Sequence, residues 1–186
     1  HYVPAVYAQD VLKHMEALEV PRAVFIGTSM GGLITLVIAA TAPDRVAASV
    51  LNDVGPKLSV EGLSRIAGYV GRVQAVDTWE EAAGAVRAVN GSAFPERLDD
   101  DEFWLAFARR TFREREDGRL EFDYDPHIAL AFADFDEDAP PPDLTPLFDA
   151  LAQKPMLSVR GALSDLLPAA GVDFMRERKG DLETVT

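Results

Sequence analysis

The period of the apolar positions changes several times along the chain, and each change marks an element. Over residues 6–18, Ala8, Val11, Leu12, Met15 and Leu18 recur at steps of three and four. That spacing predicts an amphipathic helix, ended by Pro21. Ala23, Val24, Phe25 and Ile26 then form a continuous apolar run, which predicts a short strand buried on both faces. Residues 27–32 are a glycine-rich turn, and residues 33–40 resume as an apolar helix that stops near Pro43. Residues 46–51 predict a second buried strand, closed by Asn52, Asp53, Gly55 and Pro56. This strand–helix–strand order predicts a parallel α/β sheet.

The texture differs over residues 57–142, where helical patterns follow one another and no buried strand stands out. Thr78 with Glu81 forms a capping box ahead of an Ala-rich stretch. Asp101 opens a helix carrying Phe103, Trp104 and Phe107, and Asp125-Pro126 opens another that feeds residues 128–132. Pro140, Pro141 and Pro142 mark a linker. Beyond them, residues 144–151 predict a helix and 155–160 a third buried strand. Residues 161–167 form the loop leaving that strand, 177–180 a charged turn, and 182–185 the start of a further strand. The expected organisation is a core segment at 1–56, a helical segment at 57–142 and a second core segment at 143–186.

Composition narrows the classes. A chain of 186 residues with 48% hydrophobic and 26% charged residues has the balance of one globular domain. It contains no Cys, which removes thiol catalysis and thiolate metal sites, fits a reducing compartment and leads us to expect a cytoplasmic location. A net charge of -13 argues against nucleic acid and anionic membrane surfaces as partners. Residues 57–142 hold 19 of the acidic residues against 10 basic ones, and most of the aromatic residues. The longest apolar candidate, residues 31–42, is too short to span a bilayer and is interrupted by Thr35 and Thr41. No signal segment is recognisable at the start. The chain opens on His1, and both ends are expected to be cut from something longer.

The segment with chemical content is Gly27-Thr28-Ser29-Met30-Gly31-Gly32, a Gly-x-Ser-x-Gly pattern centred on Ser29. A serine on a sharp strand-to-helix turn sits in a strained backbone conformation. Small residues two positions to either side let such a turn close. The hydroxyl then projects clear of the sheet, and the new helix aims its free N–H groups and positive dipole end at the same point. A buried apolar run directly before the pattern and a helix directly after it supply the context this reading requires.

On these residues the chain resembles the α/β-hydrolases, in particular esterase and lactonase-like members with a helical cap. The turn at 27–32 is similar to their nucleophile elbow, Leu51-Asn52-Asp53-Val54-Gly55-Pro56 to the segment closing their next strand, and Arg160-Gly161-Ala162-Leu163-Ser164-Asp165-Leu166-Leu167 to the loop bearing their acid. The resemblance implies an α/β fold: a partial α/β-hydrolase sheet of parallel strands with flanking helices and a cap inserted at 57–142. It implies Ser29 as nucleophile, Asp165 as triad acid and the Met30 backbone N–H as one oxyanion donor. It implies cleavage of an ester, thioester or lactone of a small, apolar or weakly polar substrate through an acyl-enzyme, with no cofactor and no metal. In this family the histidine follows the acid. His1, His14 and His127 all precede Asp165, so the resemblance is to a piece of a hydrolase, and the piece alone is expected to be inactive. A non-catalytic, ligand-binding relative that kept the elbow is the alternative.

Rival residues remain. Asp53 also follows a buried strand, and it either serves as the acid or caps the Gly55-Pro56 turn. Asp165 has its own plain reading as a turn-capping side chain. His127 reads as solvated or capping, and His14 as a surface residue between Lys13 and Met15. The runs at 99–102 and 134–138 read as solvated acids rather than cation sites. Phe103, Trp104, Phe107 and Phe112 are either helix core or, in part, the lining of an apolar pocket.

Overall fold

The computed structural model describes residues 2–72 and 74–186. In chain order the elements are α1 (Pro4–Ala17), β1 (Ala23–Thr28), α2 (Met30–Thr41), β2 (Val46–Asn52), α3 (Val60–Tyr69), α4 (Trp79–Asn90) and α5 (Asp101–Thr111). They continue with β3 (Phe112–Glu114), β4 (Leu120–Phe122), α6 (Thr145–Leu151), β5 (Met156–Val159), α7 (Ala169–Arg178) and β6 (Glu183–Val185). The chain divides into two compact units. One comprises His1–Ser64 with Phe135–Thr186, and the other Arg65–Asp134.

The first unit is built on a parallel four-stranded sheet in the order β1-β2-β5-β6. Thr28 pairs with Asn52, Asn52 with Val159, and Val159 with Val185. The last residues of all four strands are therefore level, and every loop at the C-terminal edge leaves from one line. Helix α2 packs on β1, on β2 and on α1 and α6. Leu36, Ile38, Leu51, Phe148, Leu151 and Met175 are fully buried in the resulting core. Each such side chain contributes about 1.5–3 kcal/mol from burial.

Strand β1 is not buried on both faces within this chain. Val24 is 60% exposed and Ile26 77% exposed. Among the described residues β1 pairs only with β2 and stands at the sheet's edge.

The second unit has its own core of Ala82, Val86, Trp104, Ala108, Phe112 and Leu120, with Phe103 and Phe107 packed against it. The predicted caps form. Thr78 accepts from the Glu81 N–H at 3.1 Å. The Glu81 carboxylate reaches back to the Asp77 N–H at 2.8 Å, one residue before the position a capping box implies. Helix α5 is capped by Asp100, whose carboxylate accepts from the Phe103 N–H at 3.0 Å. The Trp104 indole N–H donates to the Arg97 carbonyl at 2.7 Å, which satisfies the polar end of a ring that is otherwise buried. An antiparallel hairpin, β3 with β4, stands in the segment where no strand was expected. Its strands are three residues long, too short for an alternation to register, and the Phe112 and Phe122 rings meet across the hairpin with centroids 4.3 Å apart and planes tilted by 35°. Helix α7 was also unforeseen; its first turn is rich in Ala and Gly and gives no amphipathic signal.

Candidate active site

Ser29 lies between β1 and α2 with φ of 49° and ψ of -117°. Glu19 and Asp53 are the other non-glycine residues with positive φ among the described residues, and such strain is held only where the surroundings dictate it. Here the dictation is steric and local. A Cβ on Gly27 would meet the backbone of Gly31 and Gly32 at 2.5 Å, so the strand's end and the helix's start touch backbone to backbone. A Cβ on Gly32 would meet the Val54 side chain at 2.2 Å. Gly31 differs from expectation: a Cβ there meets nothing within 4 Å. The turn therefore needs glycine two before and three after the serine, and the glycine two after it is not required by space.

Hydrogen bonds complete the turn. The Ser29 N–H donates to the Asn52 carbonyl at 3.0 Å, continuing the sheet ladder by one residue. The Ser29 carbonyl accepts from the Gly32 and Leu33 N–H groups at 2.9 and 3.2 Å. Asn52 Nδ2 donates to Thr28 Oγ1 at 3.1 Å, linking the ends of β1 and β2. Met30 is the first helical residue, a position whose N–H has no intrahelical acceptor and can face an oxyanion.

The loop after β5 is held differently. Asp53, directly beyond β2 and with φ of 58°, extends its carboxylate to that loop. Oδ1 accepts from the Gly161 N–H at 3.1 Å and Oδ2 from Ser164 Oγ at 2.8 Å. Ser164 Oγ in turn accepts from the Leu166 and Leu167 N–H groups at 3.2 and 3.1 Å. The Ser59 N–H donates to the Leu166 carbonyl at 3.0 Å. A Cβ on Gly62, in the first turn of α3, would meet the backbone of Asp165 and Leu166 at 2.7 Å. Asp165 sits half-buried in this loop. The plain reading of Asp53 as a cap for the Gly55-Pro56 turn is thus replaced: its carboxylate belongs to the loop 161–167, more than a hundred residues on. Spacing cannot reveal a bond over that separation, although the Ser-Asp pair of a tight loop does signal a side chain bonded to nearby backbone.

The sheet thus brings the end of β1 with Ser29, the end of β2 with Asp53 and the loop after β5 with Asp165 to one edge. His14 lies exposed on α1. His127, in the second unit, is exposed and bonded through Nδ1 to Asp125 at 2.7 Å; Asp125 also accepts from the His127 backbone N–H. His1 lies outside the described residues. No three His, Asp or Glu side chains among the described residues are grouped to hold a metal ion. No helix there is long and apolar enough to cross a membrane.

A family model described as the alpha/beta hydrolase fold matches residues 1–106. The chain belongs to the alpha/beta hydrolase family. An alpha/beta hydrolase from Novosphingobium aromaticivorans is 43% identical and superposes with a TM-score of 0.86, covering all of this chain and 64% of its own. A 3-hydroxybutyrate-oligomer hydrolase from Cupriavidus necator is 34% identical over 171 residues, 89% of this chain and 57% of the relative. E-2-(acetamidomethylene)succinate hydrolase, 23% identical, shares the fold at a TM-score of 0.80 over all of this chain and 66% of its own. The chain therefore spans 57% of the curated relative and 64% of the Novosphingobium alpha/beta hydrolase. The four level strands are those of an alpha/beta hydrolase sheet, and Ser29 lies on a strained strand-to-helix turn at their common edge.

Proposed function

We propose that this chain carries the nucleophile and the acid of a serine hydrolase that cleaves an ester, thioester or lactone through an acyl-enzyme. The observation behind the proposal is Ser29 at φ of 49° on a turn between a parallel strand and a helix N-terminus. Ser29 Oγ attacks the carbonyl carbon and its proton passes to a histidine. The tetrahedral oxyanion is held by the Met30 N–H at the positive end of α2. Collapse expels the leaving group, which takes the proton back from the imidazolium. Water then repeats the sequence on the acyl-enzyme, releasing the acid and restoring Ser29. The relatives are longer than this chain, and in this proposal the histidine is supplied by the longer protein. Residues 57–142 take the part of a cap, and the protein works in the cytoplasm on a small, apolar or weakly polar substrate. The Cupriavidus relative is named for 3-hydroxybutyrate oligomers, which makes short hydroxyalkanoate esters the first substrates to try.

Asp165 is the acid by resemblance: its half-buried loop leaves β5 beyond the serine in chain order, where the family's acid stands. A second reading is favoured by one specific observation. Asp53 is itself strained, stands beyond the strand next to that of Ser29, and has its carboxylate fixed by one backbone and one hydroxyl donor. Such anchoring is what an acid needs in order to hold an imidazole in one tautomer.

The test is covalent labelling of the full-length protein by an activated phosphonate, followed by peptide mapping. Label on Ser29, with turnover reduced about a million-fold in Ser29→Ala, supports the proposal. Label elsewhere, or turnover that survives Ser29→Ala, rejects it. Asp165→Asn and Asp53→Asn, assayed side by side, separate the two acids, since the one that orients the histidine lowers kcat by about 10⁴.

A further inference from the structure

We propose that Arg160 is a positioning residue for the acid of this site, acting through the backbone of the loop after β5. The inference rests on the hydrolase reading of Ser29, but not on which carboxylate serves as the acid.

Arg160 is the first residue beyond β5, and its own N–H donates to the Val185 carbonyl at 2.8 Å. Its base is thereby tied to the sheet. Its guanidinium turns back under the loop that follows. Nε donates to the Leu167 carbonyl at 2.8 Å, Nη2 to the Ser164 carbonyl at 3.3 Å and Nη1 to the Ala162 carbonyl at 3.5 Å. One planar fork thus reaches three carbonyls of a seven-residue loop. Among the described backbone hydrogen bonds none ends on these three carbonyls, so the guanidinium supplies their donors. A guanidinium presents several donors in one rigid plane; an ammonium is a point charge on a flexible stem and cannot serve the three positions together.

What the fork fixes is the part of the loop that matters. Ser164 lies between the anchored carbonyls of Ala162 and Leu167. Its Oγ and the Gly161 N–H are the two donors to Asp53, and Asp165 is the next residue. Both candidate acids depend on the same few backbone atoms. Releasing them displaces the two donors of Asp53 and shifts the backbone that carries Asp165. An ångström of misplacement in a catalytic group costs about 100-fold in rate. The hydrogen bonds of Arg160 go to Val185 and to the loop and not to Ser29 or Met30, so its effect is expected on the chemical step and not on substrate binding.

The experiment replaces Arg160 in the full-length protein by Met and by Lys, with Ser29→Ala assayed alongside on an activated short-chain ester. The expected result is a fall in kcat of about 100-fold in Arg160→Met with KM little changed. Added guanidinium chloride, at concentrations below those that denature, restores part of that loss. Arg160→Lys keeps the charge and most of the volume, and is expected to lose kcat by a smaller factor. If Arg160→Met does not fold, judged by circular dichroism, Arg160→Lys decides: a fall in kcat at constant KM sustains the inference, and wild-type kcat overturns it. A loss confined to KM, or one that guanidinium does not relieve in a folded Arg160→Met, also overturns it. Turnover that survives Ser29→Ala brings down the hydrolase reading and this inference together. Loss of turnover in Ser29→Ala with wild-type kcat in both Arg160 variants brings down this inference alone.

Discussion

Two loops leave the same edge of one sheet and are held by opposite means. The turn at Ser29 is shaped by what is absent: Gly27 lies against the backbone of Gly31 and Gly32, and Gly32 against Val54. The first of these contacts lies within five residues, and the second reaches only the exit of the neighbouring strand. The loop after β5 is shaped by what reaches into it: Asp53 from β2, Ser59 and Gly62 from the start of α3, and Arg160 from the end of its own strand. The lesson concerns failure. A sterically closed turn fails abruptly, when one atom is added. A loop tied by hydrogen bonds loosens by degrees, as donors and acceptors are lost one at a time.

The largest expected effect tests the steric half. Gly27→Ala places a methyl 2.5 Å from backbone that cannot withdraw, and is expected to lower stability by about 3 kcal/mol, read as the urea midpoint of the chain. Gly31→Ala, two residues past the serine, meets open space. It sits in a helix, where alanine is favoured over glycine by about 0.5–1 kcal/mol, so its midpoint is expected to stay level or rise. If the two variants lose equal stability, the turn is not closed by sterics at Gly27.

Asp53→Ala probes the bonded half. It leaves the Gly161 N–H and Ser164 Oγ without their acceptor, at a cost of about 2 kcal/mol. Amide hydrogen exchange should locate the damage. The Gly161 N–H is expected to exchange faster, while the Gly32 N–H, which donates to the Ser29 carbonyl, keeps its protection. Equal acceleration at both amides would mean that the two loops are one cooperative structure and the contrast is unsound.

The smallest effect comes from acid. Asp143 is held down to about 2 from an ordinary 3.8, first by the Thr145 hydroxyl and then by Lys57. Asp149 is lowered by Arg178 and Asp181 by Lys179. A carboxyl whose folded value lies below its unfolded one contributes stability above the unfolded value and loses it as pH falls towards the folded one. The urea midpoint is therefore expected to hold from pH 7 to about 4 and to decline between pH 4 and 2. These carboxyls bond to Thr145, Lys57, Arg178 and Lys179 and not to the turn at Ser29, so protection of the Gly32 amide should persist until the whole unit unfolds.

The glycine-held turn was legible and the bonded loop was not, for one reason. Gly27, Ser29 and the apolar runs on either side are neighbours in sequence, and the steric demand of a strand-to-helix turn acts over that short range. Even there the pattern misassigned one glycine. Gly31 completes the motif in the sequence, whereas Gly32 meets the side chain of Val54, a residue of the next strand's exit. The bond from Asp53 to Ser164 spans 111 positions, and nothing in either segment signals the other. The hairpin of β3 and β4 stayed hidden because three residues cannot display a period. Helix α7 stayed hidden because its start is small and apolar on every side.

The sequence by itself determined which segments are strands and helices in the first unit, α7 excepted, that the strands run parallel, and that Ser29 occupies a strained turn. Those outcomes follow from apolar period, glycine placement and chain connectivity, which are local or nearly so. The tertiary structure decided that Asp53 serves the loop after β5 and not its own turn, and that Arg160 folds back on three carbonyls of that loop. These were decided only when the sheet placed the ends of β1, β2 and β5 level with one another, because a hydrogen bond depends on position in space and carries no trace of the chain length between its partners.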